Sequence, residues 1–344
     1  MAKRRGISNS IGRLTLGPGD RLLLPVSALG KILLYIFTVL VVSALLAPLI
    51  YLGLHEHLNF AFHRYVSRTT QVTAIVLLVP LLLWLRISGL SEVIVVLRTQ
   101  GLGETCRALR LWFFGKCGLA GNSKALRDLF SGIGMAIVPV ALLGLAYIHF
   151  DIYRMNRDIP VNAFLVILVT AGGVAVLEEL LFRGILLGLA AKALGPVKAA
   201  VGVSLVFALV HFLKPAKADD GVVAWWSGFA QYTHVFDSVP PAGIFALGFL
   251  SLFGAGLVLS LAALRTKSLW LPIGIHAGWI LGQQMLQKLA KYRVKPPDEL
   301  LPWVGPNVVS GAVPTGIVPL FVLVVIGTGV WLYVRNRTAT TSRA

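Results

Sequence analysis

The stretch VNAFLVILVTAGGVAVLEELLFRGILLGLA, residues 161–190, is apolar over most of its length but contains three charged residues, Glu178, Glu179 and Arg183. A helix of about 20 apolar residues crosses the hydrocarbon core of a bilayer, and this run is longer than that. Residues 31–54 contain one charged residue and residues 313–334 contain none. The stretch therefore predicts a transmembrane helix, in a chain that contains several of them.

The composition agrees with a membrane protein. The chain of 344 residues is 57% hydrophobic and 13% charged, whereas soluble domains carry about 25% charged residues. We predict an all-α polytopic membrane protein with about eight transmembrane helices. The expected spans are residues 32–54, 71–90, 130–150, 161–190, 196–213, 241–264, 268–289 and 313–334.

The charge balance is strongly basic, with 31 Lys and Arg against 14 Asp and Glu and a formal net charge of +17. In a soluble protein this excess would suggest a nucleic-acid partner. In a membrane protein it reflects topology, because basic residues collect in cytoplasmic segments. We expect no nucleic-acid partner, and the distribution of Lys and Arg predicts that both termini are cytoplasmic.

The motif content excludes several classes of enzyme and transporter. There is no P-loop of the GxxxxGK[ST] kind and no GxSxG motif, which argues against ATP-driven transport and against a serine hydrolase. The informative residues are the carboxylates inside the predicted spans and two of the histidines there. They are Glu178, Glu179, His211 and His276. Ionisable side chains are costly inside a membrane, so they are normally paired or functional.

Helix geometry places the two glutamates on different faces of one helix. Glu179 and Arg183 are four residues apart, so they share one helix face and are expected to form an ion pair. Glu178 is turned about 100° away from Glu179. It would remain free to face His211 at the end of the fifth span and His276 in the seventh, although His276 requires helix tilt or a kink at Pro272 to reach the same depth.

A glutamate facing two histidines supports two kinds of hydrolytic chemistry. The carboxylate can deprotonate water while a histidine stabilises the developing oxyanion. Alternatively, Glu178, His211 and His276 can hold zinc with one open position. Small residues allow helices to approach closely, and four glycines are expected to do so around this site: Gly172, Gly173, Gly274 and Gly278.

These residues resemble the successive motifs of the CPBP family, which includes CAAX prenyl endopeptidases and bacteriocin-processing membrane proteases. The resemblance rests on EELLFRG at residues 178–184, FALVH at residues 207–211 and the later His276. It implies an intramembrane protease in which Glu178 activates water and His211 and His276 surround the scissile carbonyl. Glu179 and Arg183 then have structural and positioning roles.

One position departs from the family pattern. The last motif usually continues as HxxxN, and its asparagine assists the oxyanion. Here Ile280 occupies that position. Gln283 and Gln284 fall near the same face of the helix and are candidates to replace the asparagine. Without a replacement, the resemblance implies a slower or inactive enzyme.

The sequence thus divides the chain into four parts. They are a basic cytoplasmic tail (1–31), three transmembrane helices with an amphipathic inner loop at 91–127 (32–150), a CPBP-like protease core (160–290) and a last transmembrane helix with a basic tail (313–344). The catalytic core is expected in the fourth to seventh predicted transmembrane helices.

The sequence favours an intramembrane endopeptidase of the CAAX type, without a cofactor, in the plasma (inner) membrane. Its partners would be the lipid bilayer and a membrane-associated peptide or protein substrate, with or without a lipid anchor. Three alternatives remain. They are a zinc-dependent membrane protease, a non-catalytic immunity or scaffold protein that keeps the fold, and a proton-coupled transporter.

Overall fold

The chain folds into a bundle of long helices. The computed structural model describes residues 24–58, 61–84, 123–156, 161–212, 222–235, 242–292, 304, 308–309, 313–314 and 317–341. Its helices are α1 (Leu24–Leu58), α2 (Phe62–Trp84), α3 (Ala125–His149), α4, α5 (Pro196–Val210), α6 (Ser227–Thr233), α7 (Ala242–Thr266), α8 (Trp270–Leu289) and α9 (Ile317–Thr341). Helix α4 has three continuous parts, the α-helical Val161–Glu179, the π-helical Leu180–Leu186 and the α-helical Leu187–Leu194.

Each of the eight predicted spans overlaps a helix within the described residues. Within the described residues, five helical segments are long and apolar enough to cross a membrane: Leu33–His57, Ala125–His149, Ala163–Leu194, Phe245–Thr266 and Ile317–Asn336. Helix α5 is apolar but has only 15 residues. A mostly helical membrane architecture is thus confirmed, whereas the count of eight spans and the placement of the catalytic core stay predictions.

The helix boundaries differ from the predicted spans at the amino-terminal side. Helix α1 begins at Leu24, inside the segment predicted as a tail (1–31), with Pro25 in its first turn. Proline is tolerated there because the first amide groups of a helix have no partner within it. Hydropathy marks only the apolar part of a helix, so the polar ends of α1 and α2 were missed. Residues 1–23 and most of the predicted inner loop at 91–127 lie outside the described residues.

The centre of the bundle is the close parallel packing of α3 and α8. A Cβ added to Gly274 would collide with the carbonyl oxygen of Leu129, and one added to Gly278 would lie 2.6 Å from the carbonyl oxygen of Ile133. Residue numbers increase along both helices from one contact to the next, from Leu129 with Gly274 to Ile133 with Gly278, so the helices run in the same direction. The absence of side chains at these glycines lets the two backbones touch.

A short pair of strands shows in which direction α4 runs through the bundle. Strand β1 (Tyr153–Met155) follows α3 and pairs antiparallel with β2 (Ala290–Tyr292), which follows α8. We call this end of the bundle the β end. Helix α4 starts at Val161, six residues after β1, and therefore runs away from the β end. It is antiparallel to α8, against which it packs. A second pair, β3 (Val308–Val309) with β4 (Val313–Pro314), precedes α9.

Helix α6 packs against the first two helices. Gly228 lies directly on the backbone of Ala44 in α1. The hydroxyl group of Tyr232 forms hydrogen bonds with Ser43 Oγ at 2.7 Å and with Thr70 Oγ1 at 2.5 Å. A single side chain of α6 thereby holds α1 and α2 together.

The glycine contact between α3 and α8 gives the first testable prediction. Gly274→Ala is expected to destabilise the protein by about 3 kcal/mol or more. The added methyl group would meet backbone atoms, which cannot move aside as a side chain does by changing its rotamer. Gly134→Ala is the matched control, since an added Cβ there has no atom of the described residues within 4 Å. Thermal unfolding in detergent measures both variants. Equal melting temperatures would contradict the packing described here.

Candidate active site

Glu178 and Glu179 are the last two residues of the first part of α4, directly before its π-helical turn. A π-helix widens the turn by one residue and is frequent at functional sites. Phe182, Arg183 and Ile185 lie within it and are buried. The sequence did not predict this turn, because a π-helix has no distinct hydrophobic period.

Glu179 is completely buried, and one of its oxygen atoms binds two partners. Arg183 Nη1 donates a hydrogen bond to Glu179 Oε1 at 2.8 Å. His276 Nδ1 lies 2.8 Å from the same oxygen. The ion pair expected between Glu179 and Arg183 is present. The bond from Glu179 to His276 was not expected, and it joins α4 to α8.

Arg183 has further contacts that shield its charge. Nη2 donates to the carbonyl oxygen of Gly256 in α7 at 3.4 Å. The guanidinium carbon lies 4.4 Å from the centre of the Phe207 ring, which is cation–π distance. Gly256 packs on the Cβ of Ser204, so α5 and α7 are close at this level. The sequence analysis assigned no role to Gly256. The only signal of close packing there was the run of small residues GAG at residues 254–256.

His211 is the residue that ends α5. Its Nδ1 lies 2.6 Å from the carbonyl oxygen of Phe207, one turn earlier. Because a carbonyl oxygen only accepts hydrogen bonds, Nδ1 is the donor in this contact. The Phe207 ring lies 4.5 Å from the His211 ring and 5.9 Å from the His276 ring, measured between centres. The Phe207 ring therefore contacts both histidines and the Arg183 guanidinium.

Glu178 faces both histidines. Its Oε2 lies 3.8 Å from His211 Nε2 and 3.8 Å from His276 Nε2. The Glu178 side chain is 30% exposed, whereas those of Glu179 and Arg183 are fully buried. Within the described residues, Glu178 Oε2 has no hydrogen-bond partner. Three polar atoms from three helices thus surround one point.

Helix α8 reaches this depth without a kink. Leu269, in the turn before α8, lies against Gly184 of α4, eleven residues before Gly195 ends that helix. Helix α8 therefore begins well inside the bundle relative to the turn between α4 and α5. Pro272 lies in its first turn, where it causes no break. The predicted depth mismatch of His276 was wrong because it assumed that both turns lie at one level.

The four glycines expected to pack closely around the site fall into two groups. Gly274 and Gly278 do pack closely, but on α3. Within the described residues, a Cβ added to Gly172 or Gly173 would meet nothing within 4 Å, so the close packing expected at these two is not found there. Glycine in a span signals close packing only where another backbone faces it.

The position of the expected asparagine is occupied by a buried aliphatic side chain, since Ile280 is 8% exposed. Of the two candidate replacements, Gln283 is 1% exposed and Gln284 is half-buried. Within the described part of the chain, no group of three or more His, Cys, Asp or Glu side chains forms an arrangement that would hold a metal ion.

Comparison with known families identifies this part of the chain. Residues 160–281 match the family model described as type II CAAX prenyl endopeptidase, Rce1-like. This segment is similar to an Rce1-like domain. The resemblance to the CPBP family is confirmed, and the match contains Glu178, Glu179, Arg183, His211 and His276. The apolar helices are those of an integral membrane protein, and the matched segment is similar to a family of membrane endopeptidases. No curated protein and no solved structure matched the chain.

The match covers about a third of the chain. The first three helices and α9 lie outside it. The four-part division of the chain and the roles of the individual site residues stay predictions.

Proposed function

We propose that this protein is an intramembrane endopeptidase that hydrolyses a peptide bond in a membrane-associated protein or peptide, with Glu178 activating the attacking water. The observation that carries the proposal is the position of Glu178 Oε2, 3.8 Å from Nε2 of both His211 and His276. This separation exceeds a direct hydrogen bond and suits a contact bridged by water.

The proposed reaction needs no redox partner. Glu178 accepts a proton from water while the water oxygen bonds to the scissile carbonyl carbon. The carbonyl oxygen becomes an oxyanion. When the oxyanion collapses, the carbon–nitrogen bond breaks and Glu178 returns its proton to the leaving amine. The products are a carboxylic acid and an amine.

The histidines have a defined orientation for this reaction. Nδ1 of His211 is held by the Phe207 carbonyl oxygen, and Nδ1 of His276 by Glu179. Both Nε2 atoms therefore point to the centre of the site. A neutral imidazole with its proton on Nδ1 accepts at Nε2, and a protonated one donates there. Stabilisation of the oxyanion thus requires the protonated form of at least one of these histidines.

The alternative with zinc uses the same donor atoms. Glu178, His211 and His276 would be the ligands, and Glu179 would orient His276 from outside the ligand shell, as carboxylates do in zinc sites. Zinc would supply an activated hydroxide. The family resemblance favours the mechanism without metal, and we propose no cofactor.

A non-catalytic immunity or scaffold role is the second candidate function, and Ile280 is the observation that favours it. A buried isoleucine donates no hydrogen bond to an oxyanion, so the family's helper at this position is missing. For the catalytic proposal, we assign the substrate to membrane-associated peptides, with or without a lipid anchor. We also propose a plasma (inner) membrane location with both termini cytoplasmic.

A cleavage assay with metal analysis tests these proposals. The purified full-length protein, reconstituted in phosphatidylcholine and phosphatidylglycerol vesicles, is incubated with internally quenched peptides, one set prenylated on a cysteine and one set unmodified. We expect cleavage by protein that has been stripped with a strong chelator and contains no stoichiometric zinc. Activity that disappears on stripping and returns with zinc would replace the glutamate mechanism by the zinc mechanism. No cleavage of either set, together with an intact fold, would favour the non-catalytic role.

A further inference from the structure

Asp128 is a buried carboxylate that the proposed reaction does not use. It lies in the first turn of α3 and is 0% exposed. The hydroxyl group of Tyr333 in α9 donates a hydrogen bond to Asp128 Oδ1 at 2.7 Å. The guanidinium carbon of Arg127 lies 5.9 Å from the centre of the Tyr333 ring, which is cation–π distance. A buried carboxylate is costly unless positive charge or several donors compensate it, and one neutral hydroxyl group does not suffice.

The packing of α3 on α8 places Asp128 beside the start of α8. A Cβ added to Gly132 would contact the backbone of α8 at the carbonyl oxygen of Leu271 and the amide nitrogen of Ile275. Asp128 precedes Gly132 by one turn on the same face of α3. Because the two helices are parallel, Asp128 lies about one turn before that contact, at the level of residues 267–271. This range includes the residue that precedes α8 and the first two residues of the helix.

The start of α8 has an electrostatic requirement that its own acidic residues do not meet. The residue that precedes the helix is Leu269, whose side chain makes no capping hydrogen bond, and the first turn contains no acidic residue. Ser268 Oγ accepts a hydrogen bond from the Trp270 amide, but at the long distance of 3.4 Å. Ser268 and Leu269 are buried, so water is a poor partner for the amide groups there.

The parallel arrangement of α3 and α8 adds to this requirement. The two helices begin within about one turn of each other, so the positive ends of their dipoles lie side by side. A negative charge near a helix N-terminus is stabilising. Asp128 is in the first turn of α3 and at the level of the first turn of α8, so its carboxylate interacts favourably with both helix ends.

We propose that Asp128 is a positioning residue for His276. Its carboxylate compensates the N-terminal end of α8 and thereby fixes the level of that helix, while Tyr333 holds the carboxylate from α9. This rests on the proposed function, in which the His276 ring faces Glu178. His276 follows the start of α8 by six residues, about 9 Å along the helix, so a displaced start of α8 moves its ring. Helices α3 and α9 lie outside residues 160–281, so the residue that positions His276 is not part of the matched segment.

Isosteric variants separate this role from a contribution to folding. Asp128→Asn removes the charge and nearly keeps the shape. We expect kcat to fall about tenfold, equal to about 1.4 kcal/mol, which is within the range for a charge at a buried helix terminus. KM should stay unchanged, because the carboxylate acts on the position of His276 rather than on substrate binding. Tyr333→Phe removes only the hydroxyl group and should lower kcat by a smaller factor.

The matched control is Asp151→Asn at the opposite end of α3, where the carboxylate is exposed. It should leave kcat and KM unchanged. If Asp128→Asn lowers the yield of folded protein but leaves kcat of the folded fraction at the wild-type value, Asp128 serves the fold alone and the proposal is wrong.

A disulfide cross-link measures the level of α8 without catalysis. A Cβ added to Gly184 would lie 3.3 Å from Leu269 Cδ1, so Gly184→Cys with Leu269→Cys places two thiols at the contact between α4 and the start of α8. The background has serine in place of both native cysteines. We expect the pair to oxidise about fivefold more slowly with Asp128→Asn and at an unchanged rate with Asp151→Asn.

The cross-link distinguishes failure of this inference from failure of the proposed function. An unchanged oxidation rate with Asp128→Asn would overturn the inference, whether or not the wild-type protein cleaves peptides. Slower oxidation with Asp128→Asn in a protein that cleaves no peptide would refute the protease function and keep the effect of Asp128 on α8.

Discussion

Glu178→Gln is expected to abolish peptide cleavage while leaving the amount of folded protein unchanged. Glutamine has nearly the same shape as glutamate but does not take a proton from water. General acid–base groups contribute about 10²- to 10⁴-fold to the rate, so kcat should fall by at least that range. Folding should be unaffected because Glu178 is 30% exposed and its Oε2 makes no hydrogen bond within the described residues. Initial rates in vesicles, at protein concentrations matched by gel filtration, measure the effect.

The neighbouring histidine provides a control for the geometry of the same site. His211→Gln keeps a polar side chain at the end of α5, where the Phe207 carbonyl oxygen accepts its hydrogen bond. It should reduce kcat without unfolding the protein, since His211 lies at the end of α5 rather than within the helix. If Glu178→Gln cleaves at the wild-type rate while His211→Gln is inactive, the base is the histidine and the assignment of Glu178 is wrong.

Much of the helical architecture could be predicted because it depends on a local property of the chain. An apolar run of about 20 residues has to satisfy its backbone hydrogen bonds internally in lipid, and a helix does this. Helix ends were less predictable, since the first turns of α2 after Phe62 are helical without being apolar, and α1 begins at Leu24, before the charged residue Lys31 that was taken as the edge of the span. The π-helical turn at Leu180–Leu186 was not predictable, because one additional residue in a turn does not change composition.

In the candidate site, too, a contact between residues close in the sequence could be predicted, whereas a contact between residues far apart in the sequence could not. The bond between Glu179 and Arg183 follows from their spacing on one helix, which the sequence displays directly. The bond between Glu179 and His276 joins residues that are 97 positions apart. It depends on how far α8 extends into the bundle, and that is determined by the contact of Leu269 with Gly184. The open space beside Gly172 likewise depends on what faces the glycine rather than on the glycine itself.

Glu179→Gln is expected to have the largest effect on stability. It leaves the buried Arg183 guanidinium without its carboxylate, and breaking a buried ion pair costs about 3–5 kcal/mol. It also removes the carboxylate that faces Nδ1 of His276. Both the amount of folded protein and the activity per folded molecule should therefore fall. Yield after gel filtration and thermal unfolding measure the first, and cleavage rate per folded molecule measures the second.

The double variant Glu179→Leu with Arg183→Met separates these two roles of Glu179. Replacing both members of a buried ion pair by apolar side chains of similar volume is often neutral or stabilising, because no charge is left without a partner. Stability should therefore recover towards the wild-type value. Activity should not recover, because His276 still lacks the carboxylate that orients it. Active double-variant protein would contradict a positioning role for Glu179, since the Glu179–Arg183 pair would then serve the fold alone and His276 would be held by its other contacts.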